Sequence, residues 1–267
     1  MVKALIVIPT YNESGNIEPL ITQILATVPE IEVLVIDDAS QDGTGAIVDG
    51  LAARLPQVHV IHRPGKLGLG TAYLRGFDYA TQNGYDLVFE MDADFSHDPK
   101  YLPALLAAAQ GPDGADLVIG SRYVPGGDTP DWSPLRKFIS GGGNIFARTV
   151  LAIPIHDCTS GFRCYRTAAL RTLHLDQVHA QGYAFQVEMA YAMWRSGYHV
   201  REVPIVFIDR RVGHSKMSRR IFIEGFTWVL RTRINGSPVM RRNAAALVPP
   251  SVMPATDDAT REAPTGR

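Results

Sequence analysis

Cysteine is scarce in this chain: Cys158 and Cys164 are the only two in 267 residues. With five residues between them and no second pair, they fit neither a disulfide framework nor a zinc site, and both read as reduced core thiols. Net charge is lacking too, at −1, so no global field argues for wrapping nucleic acid, and none is expected as a partner. Long apolar runs are absent as well. Nothing approaches the about 18 consecutive apolar residues of a membrane-spanning helix, and Met1 leads into a strand-like segment instead of a signal peptide. A protein that stays on the cytoplasmic side is the expectation.

What is present is a 46% hydrophobic composition, enough for a sizeable core. Short β-branched runs at 4–9, 32–37, 59–63, 86–92 and 116–121 alternate with helix-length segments. Continuous apolar runs flanked by helices predict a mostly parallel central sheet buried on both faces, an α/β fold with ligands at the carboxyl ends of the strands. Ile17, Leu20, Ile21, Ile24 and Val28 recur at helical spacing between the first two runs, and a further helix is expected over 70–83. In the second half, a helix ending at Leu151, a loop "HDCTSGFRCYR", a helix over 183–196 and a strand "REVPIVFID" are predicted. Residues 1–242 read as one domain, and 243–267, rich in Pro, Ala and Thr, as a disordered tail.

Chemistry-bearing residues follow the strands. "MDADFSHDP" puts Asp92 and Asp94 one residue apart after the fourth run, a pattern suited to a hard divalent cation that takes carboxylates together with phosphate oxygens. An acidic turn capping the next helix is the plainer reading, and Asp98-Pro99 has the form of a helix start. Asp37 and Asp38 end the second run, where a carboxylate suits a ribose or a base, or simply shapes a turn. "PTYNE" adds Pro9, Tyr11 as an aromatic plate and Glu13 as an acceptor. "KLGLG" carries neither a dinucleotide fingerprint nor a P-loop. Arg122, Arg136, Arg163, Arg166, Arg210, Arg211 and Lys216 are candidate anion forks. His97 and His214 are assigned to loop packing, and Glu188 either to a solvated or paired helical position or to the wall of an acceptor cleft. A haloacid-dehalogenase-type phosphatase would place its aspartate pair after the first strand, not the fourth, and a non-catalytic scaffold would not need every polar strand end intact.

"IPTYNE", "VIDDASQDGT", "LGLGTAYLRGF", "MDADFSHDP", "GSRY", "TSGFRCYR", "FQVEM" and "EVPIVFIDRRVGHSKMS" together resemble the polyprenol (dolichol) monophosphate mannose synthases, inverting glycosyltransferases of family two. The match runs in order over roughly residues 4 to 220. The resemblance implies a GT-A nucleotide-diphospho-sugar transferase fold and transfer of mannose from GDP-mannose to a polyprenyl phosphate. UDP-glucose as donor on the same fold is the alternative. By position it implies Pro9, Tyr11, Glu13, Ile36, Asp38, Asp92, Ala93, Asp94, Arg122, Arg210 and Lys216 as donor contacts. Asp92 and Asp94 would hold Mg2+ or Mn2+, and Arg122, Arg136 and Ser140 would meet the acceptor phosphate, with Asp94 and Arg122 closest to the chemistry. Some relatives use a Gln as a metal ligand two residues past the second Asp; here Ser96 stands in that place. The chain resembles the short type without C-terminal spanning helices. An amphipathic helix near 217–234, with Phe226, Trp228 and Leu230 among arginines, then suits a peripheral position at the cytoplasmic membrane surface, where a membrane-embedded partner protein is a further expectation.

Overall fold

The computed structural model describes residues 2–111, 113–209, 219–240 and 253–254. Strands β1 (Ala4–Thr10), β2 (Glu32–Asp37), β3 (Val58–His62), β4 (Leu87–Glu90), β5 (Leu117–Ser121), β6 (Arg163–Arg166), β7 (Val200–Pro204) and β8 (Met253–Pro254) form one sheet in the order β3-β2-β1-β4-β6-β5-β7-β8. All pairings are parallel except those of β6, which runs antiparallel to both β4 and β5. Strand order reverses at β1, which lies between β2 and β4. That reversal opens a crevice beyond the carboxyl ends of these three strands.

Alternation along β1 decides the two faces of the core. Leu5 and Val7 pack with α3 (Leu69–Gln82), α5 (Pro134–Leu151) and α7 (Tyr183–Arg195). Ile6 and Ile8 pack with α1 (Ile17–Thr27), α2 (Thr44–Arg54) and α4 (Leu102–Ala109). Since successive strand side chains point to opposite faces, an unbroken apolar run serves both layers at once. The short helix α6 (Thr167–Leu170) follows β6, and α8 (Arg219–Asn235) packs on α5 and α7. No helix among the described residues is long and apolar enough to cross a membrane.

Close approach of α3 to β1 depends on Gly76: a Cβ there would lie 2.5 Å from Val7 Cγ1. Gly76→Ala is therefore expected to destabilise the fold by about 1–3 kcal/mol through overpacking, read as a melting temperature lowered by several degrees. An unchanged melting temperature would refute this account of the α3–β1 contact.

Several expectations need correction. The segment "HDCTSGFRCYR" is not loop throughout, because 163–166 form β6 in the middle of the sheet. Only four residues long and bracketed by arginines, it has no apolar run to announce it, and its pairing with β4 and β5 overrides the local signal. The fourth strand stops at Glu90, so Asp92 stands two residues beyond it. The third covers Val58–His62 instead of 59–63; the helix expected near 217–234 is described over Arg219–Asn235, and 217–218 lie outside the described residues. Cys158 and Cys164 are buried and unbridged. The expected disordered tail over 243–267 lies outside the described residues apart from Met253–Pro254, which pair with β7.

Candidate active site

Backbone strain gathers at the strand ends. Asn12, Ala39 and Phe95, just after β1, β2 and β4, have φ of 59°, 54° and 63°. Left-handed conformations are uncommon away from glycine and concentrate where a site demands a particular chain path.

The register of β1 with β2 sets Pro9 beside Ile36 and Thr10 beside Asp37. Asp37 is buried and accepts from Thr10 Oγ1 (3.0 Å) and the Ser40 N–H (3.2 Å), clasping the two strand ends together. Asp38 is buried in an ion pair with Arg63 and accepts from the Leu67 N–H at 3.2 Å. Arg63 reaches onward to Thr71 Oγ1 (2.8 Å) and the Gly68 carbonyl (3.1 Å). Through that pair the carboxylate of Asp38 anchors the glycine-rich 63–71 turn. Glu13 accepts from Asn16 Nδ2 at 2.9 Å, and Lys66 Nζ lies 4.4 Å from the centre of the Tyr11 ring.

Beyond β4, Asp94 is buried and accepts from the Ser96 N–H at 3.1 Å, with buried Ala93 between the two carboxylates. Asp92 accepts from the Tyr73 hydroxyl at 3.3 Å, while its own N–H donates to His97 Nδ1 at 3.1 Å. An accepting Nδ1 places the imidazole proton on Nε2. Burial is the main reason His97 is neutral, pushing it down to about 4 against the opposing pull of Asp94. His97 also stacks on Phe162, with ring centres 5.0 Å apart. The loop packing expected of it is therefore joined to a second task, holding the backbone of the Asp-x-Asp turn. Asp98 caps the next turn, accepting from the Lys100 N–H at 3.0 Å.

Arg122, directly after β5, is buried. Its Nε and Nη2 grip the two carboxylate oxygens of Asp157, each at 2.7 Å, and Nη2 also donates to Thr159 Oγ1 at 2.8 Å. Burial works against the charge on Asp157, but Arg122 outweighs it and holds the carboxyl below its usual range. Three rings, of Tyr123, Trp132 and Phe207, lie within 5.5 Å of the guanidinium carbon. Arg136 donates to Asp209 at 2.7 Å and lies 4.2 Å over Trp132; Ser140 accepts from the Tyr123 hydroxyl at 2.8 Å. Arg136, Ser140 and Thr159 form part of the wall of an apolar cavity of about 580 Å3. Leu135, Phe138, Tyr183 and Phe226 complete much of the rest, and Phe226 stacks on Phe146 with ring centres 4.4 Å apart.

Arg163 and Arg166 do not serve as anion forks. Arg163 is fully buried and donates to the carbonyls of Ser160, Cys158 and Gln186, each at 2.7 Å, and Arg166 donates to the Ala109 carbonyl at 2.8 Å. Glu188 is buried and paired, accepting from the Ala180 N–H at 3.4 Å. Burial pushes it up to about 7, and it is not part of the cavity wall. Arg210, Arg211, His214 and Lys216 lie outside the described residues. Sequence reasoning missed Asp157, Thr159 and Trp132. The first two sit in the "HDCTSGF" stretch, whose acid before a Ser-Gly turn was the available signal.

The donor set around Asp92 and Asp94 suits a hard divalent cation. Both are oxygen ligands, and the buried Ser96 Oγ and the Gln186 amide nearby have no hydrogen-bond partner. No group of three or more His, Cys, Asp or Glu among the described residues forms a self-sufficient metal cage. Waters or the oxygens of a bound diphosphate would complete the shell.

Residues 5–173 match the family described as Glycosyl transferase family 2. The chain is similar to an undecaprenyl-phosphate mannosyltransferase of Micrococcus luteus, 47% identical over 229 residues that cover 86% of this chain and 93% of that one. It is also similar to a polyprenol monophosphomannose synthase of Mycolicibacterium smegmatis, 43% identical over 238 residues, 87% of this chain and 89% of that one. Among solved structures, glucosyl-3-phosphoglycerate synthase from Mycobacterium tuberculosis, with Mn2+, UDP and phosphoglyceric acid, superposes at a TM-score of 0.63 with 19% identity, covering 88% and 79% of the two chains. A mannosyltransferase from Pyrobaculum calidifontis in complex with GDP-Man and Mn2+ does so at 0.56 with 17% identity, covering 86% and 64%. At these identities the structural likenesses establish the shared GT-A-like fold.

Proposed function

The chain belongs to glycosyltransferase family 2, and from that premise we propose that it transfers mannose from GDP-mannose to a polyprenyl phosphate, with inversion at the sugar. It is a mannosyltransferase whose acceptor is a lipid phosphate, as the names of its relatives at 43–47% identity support. The observation that carries the reading is one of juxtaposition. Buried Arg122 donates to Thr159 on the wall of the apolar cavity, which also carries Arg136 and Ser140, and both Arg122 and Asp94 act electrostatically on His97, which holds the Asp-x-Asp turn.

Each part has a task. Tyr11, Glu13 and Asp38, with Pro9 and Ile36 behind them, form the nucleotide side at the ends of β1 and β2. Asp92 and Asp94 hold a divalent cation, Mg2+ or Mn2+, which when bound neutralises charge on the departing diphosphate. Arg122 and Arg136 steer the acceptor phosphate, with Ser140 beside them, and the cavity takes the start of the polyprenyl chain. No general base is required of the protein. A phosphomonoester has a second pKa of about 6 and is mostly dianionic at pH 7, so the acceptor oxygen is already nucleophilic. What two mutually repelling phosphates need instead is fixed positive charge, and the site supplies it.

A membrane surface is the natural place for such an acceptor. Phe138 is 79% exposed, and Leu135, Ile145 and Ile234 are also exposed, alongside exposed Lys137, Arg231 and Arg233. Apolar side chains interleaved with basic ones on two adjacent helices fit the interface of an anionic bilayer.

The deciding assay incubates the protein with labelled GDP-mannose or UDP-glucose, a polyprenyl phosphate and Mn2+ or Mg2+, then extracts the lipid. Label from GDP-mannose is expected in the lipid phase; absence of label with every donor would refute the enzyme reading. Phe138→Glu is expected to raise KM for a long-chain polyprenyl phosphate about tenfold, since burying such a side chain against lipid is worth about 1.5–3 kcal/mol. KM for GDP-mannose should stay unchanged. Equal effects on both substrates would count against the cavity as the lipid site.

A further inference from the structure

Gln186, on α7, is 2% exposed, and neither end of its amide makes a hydrogen bond. Leaving a buried polar group unpaired costs about 1–3 kcal/mol, so a buried primary amide with both ends empty calls for a specific explanation. Its surroundings offer one. A Cβ placed on Gly161 would lie 3.7 Å from Gln186 Nε2, 3.9 Å from Asp92 Oδ1 and 3.6 Å from His97 Cε1. The amide, the first carboxylate of the Asp-x-Asp turn and the histidine that holds the Asp92 backbone thus converge on one side-chain-free position.

Two neighbours within the fold, Glu90 and Arg163, compete for Gln186. Glu90 lies against Gln186 and Tyr165, whose polar groups favour its charged form against the effect of burial, but none of these approaches reaches hydrogen-bond geometry, and Ser96 Oγ is likewise buried without a partner. Arg163 uses the backbone carbonyl of Gln186, leaving the side chain uncommitted. The unpaired groups nearest the paired aspartates therefore include a neutral amide whose two ends exchange by rotation about its last bond, presenting either an oxygen or an N–H.

We propose that Gln186 is part of the cation site, turning its amide carbonyl oxygen toward the cation held by Asp92 and Asp94. The inference rests on the reading of Asp92 and Asp94 as the metal pair. It adds a residue that lies 94 positions from Asp92 in the chain and on a different element. Groups of this kind around a metal affect affinity about 10–100-fold when removed. An apolar group of the same shape satisfies the fold equally well, because it removes the unpaired amide altogether.

The test is Mn2+ titration of the intact protein by electron paramagnetic resonance in the presence of GDP, with thermal melts alongside. Gln186→Leu is expected to weaken Mn2+ binding at least tenfold while melting no lower than the native protein. Gln186→Glu, which keeps an oxygen donor at the same reach, should bind Mn2+ at least as tightly as the native chain, and Asp94→Ala should abolish binding. Native Mn2+ affinity, within twofold, in Gln186→Leu would overturn the proposal if Asp94→Ala still abolishes binding. The same holds for a loss of Mn2+ affinity in Gln186→Leu that Gln186→Glu does not reverse. Native affinity in Asp94→Ala would overturn the metal reading itself, and this inference with it.

Discussion

Asp94→Ala is expected to reduce mannose transfer to lipid by on the order of 10^3-fold, the scale seen when one preorganised charge-stabilising group is lost from an active site. The leaving group is a nucleoside diphosphate, so negative charge grows on its oxygens as the sugar bond breaks. With Asp94 gone, one of two carboxylates is left to keep a cation at that place. Asp94 is buried and aligned by the Ser96 N–H at 3.1 Å, so its carboxylate is preorganised. The loss should fall on kcat and on the metal concentration needed for half-maximal rate, with transfer partly restored by excess Mn2+ in Asp94→Asn. Transfer within tenfold of native in Asp94→Ala, measured by label in the extracted lipid, would remove the residue from the chemistry.

Arg122→Ala carries the largest expected stability effect. It strands Asp157, a fully buried carboxylate that Arg122 contacts through its backbone N–H as well as two guanidinium nitrogens. Breaking one side of a buried ion pair costs about 3–5 kcal/mol, whereas replacing both partners by apolar residues of similar volume is often neutral or stabilising. Arg122→Ala alone should therefore melt far below the native protein. The double variant Arg122→Met with Asp157→Leu should recover much of the stability and still fail to transfer mannose. A double variant that transferred at the native rate would reduce Arg122 to a structural role. The pair also has a defined pH dependence. The folded-state pKa of Asp157 is depressed, so its contribution is fully present above the ordinary carboxylate range and is lost only as pH falls through the lower folded value.

Local pattern made much of the fold legible. The apolar runs of β1 and β2, the helical spacing of Ile17 to Val28 and the Asp98-Pro99 helix start are short-range signals, and the structure contains the corresponding elements. The polar groups after β1, β2, β4 and β5 were legible too, because a parallel sheet has only one end at which to gather them. β6 was not legible, since its four residues become a strand through pairing with β4 and β5 on either side. Nor could the fate of the arginines be read from their type. Arg122, Arg136 and Arg163 look alike in sequence, yet one is locked to Asp157, one lies across Trp132 at the cavity wall and one is sealed beneath the sheet end.

By itself, the sequence determined the parallel strand-and-helix alternation, the polar residues gathered after the strands, and the Asp-x-Asp turn suited to a cation. These follow from periodicity and residue type over a few positions. Only the tertiary structure decided which groups are paired and which are open. Asp38 meets Arg63 across 25 residues and Arg122 meets Asp157 across 35, while Gln186 comes to the Asp92 turn from another helix. Pairing depends on distance through space, and in a doubly wound sheet the residues closest in space at the crevice are contributed by crossovers far apart along the chain.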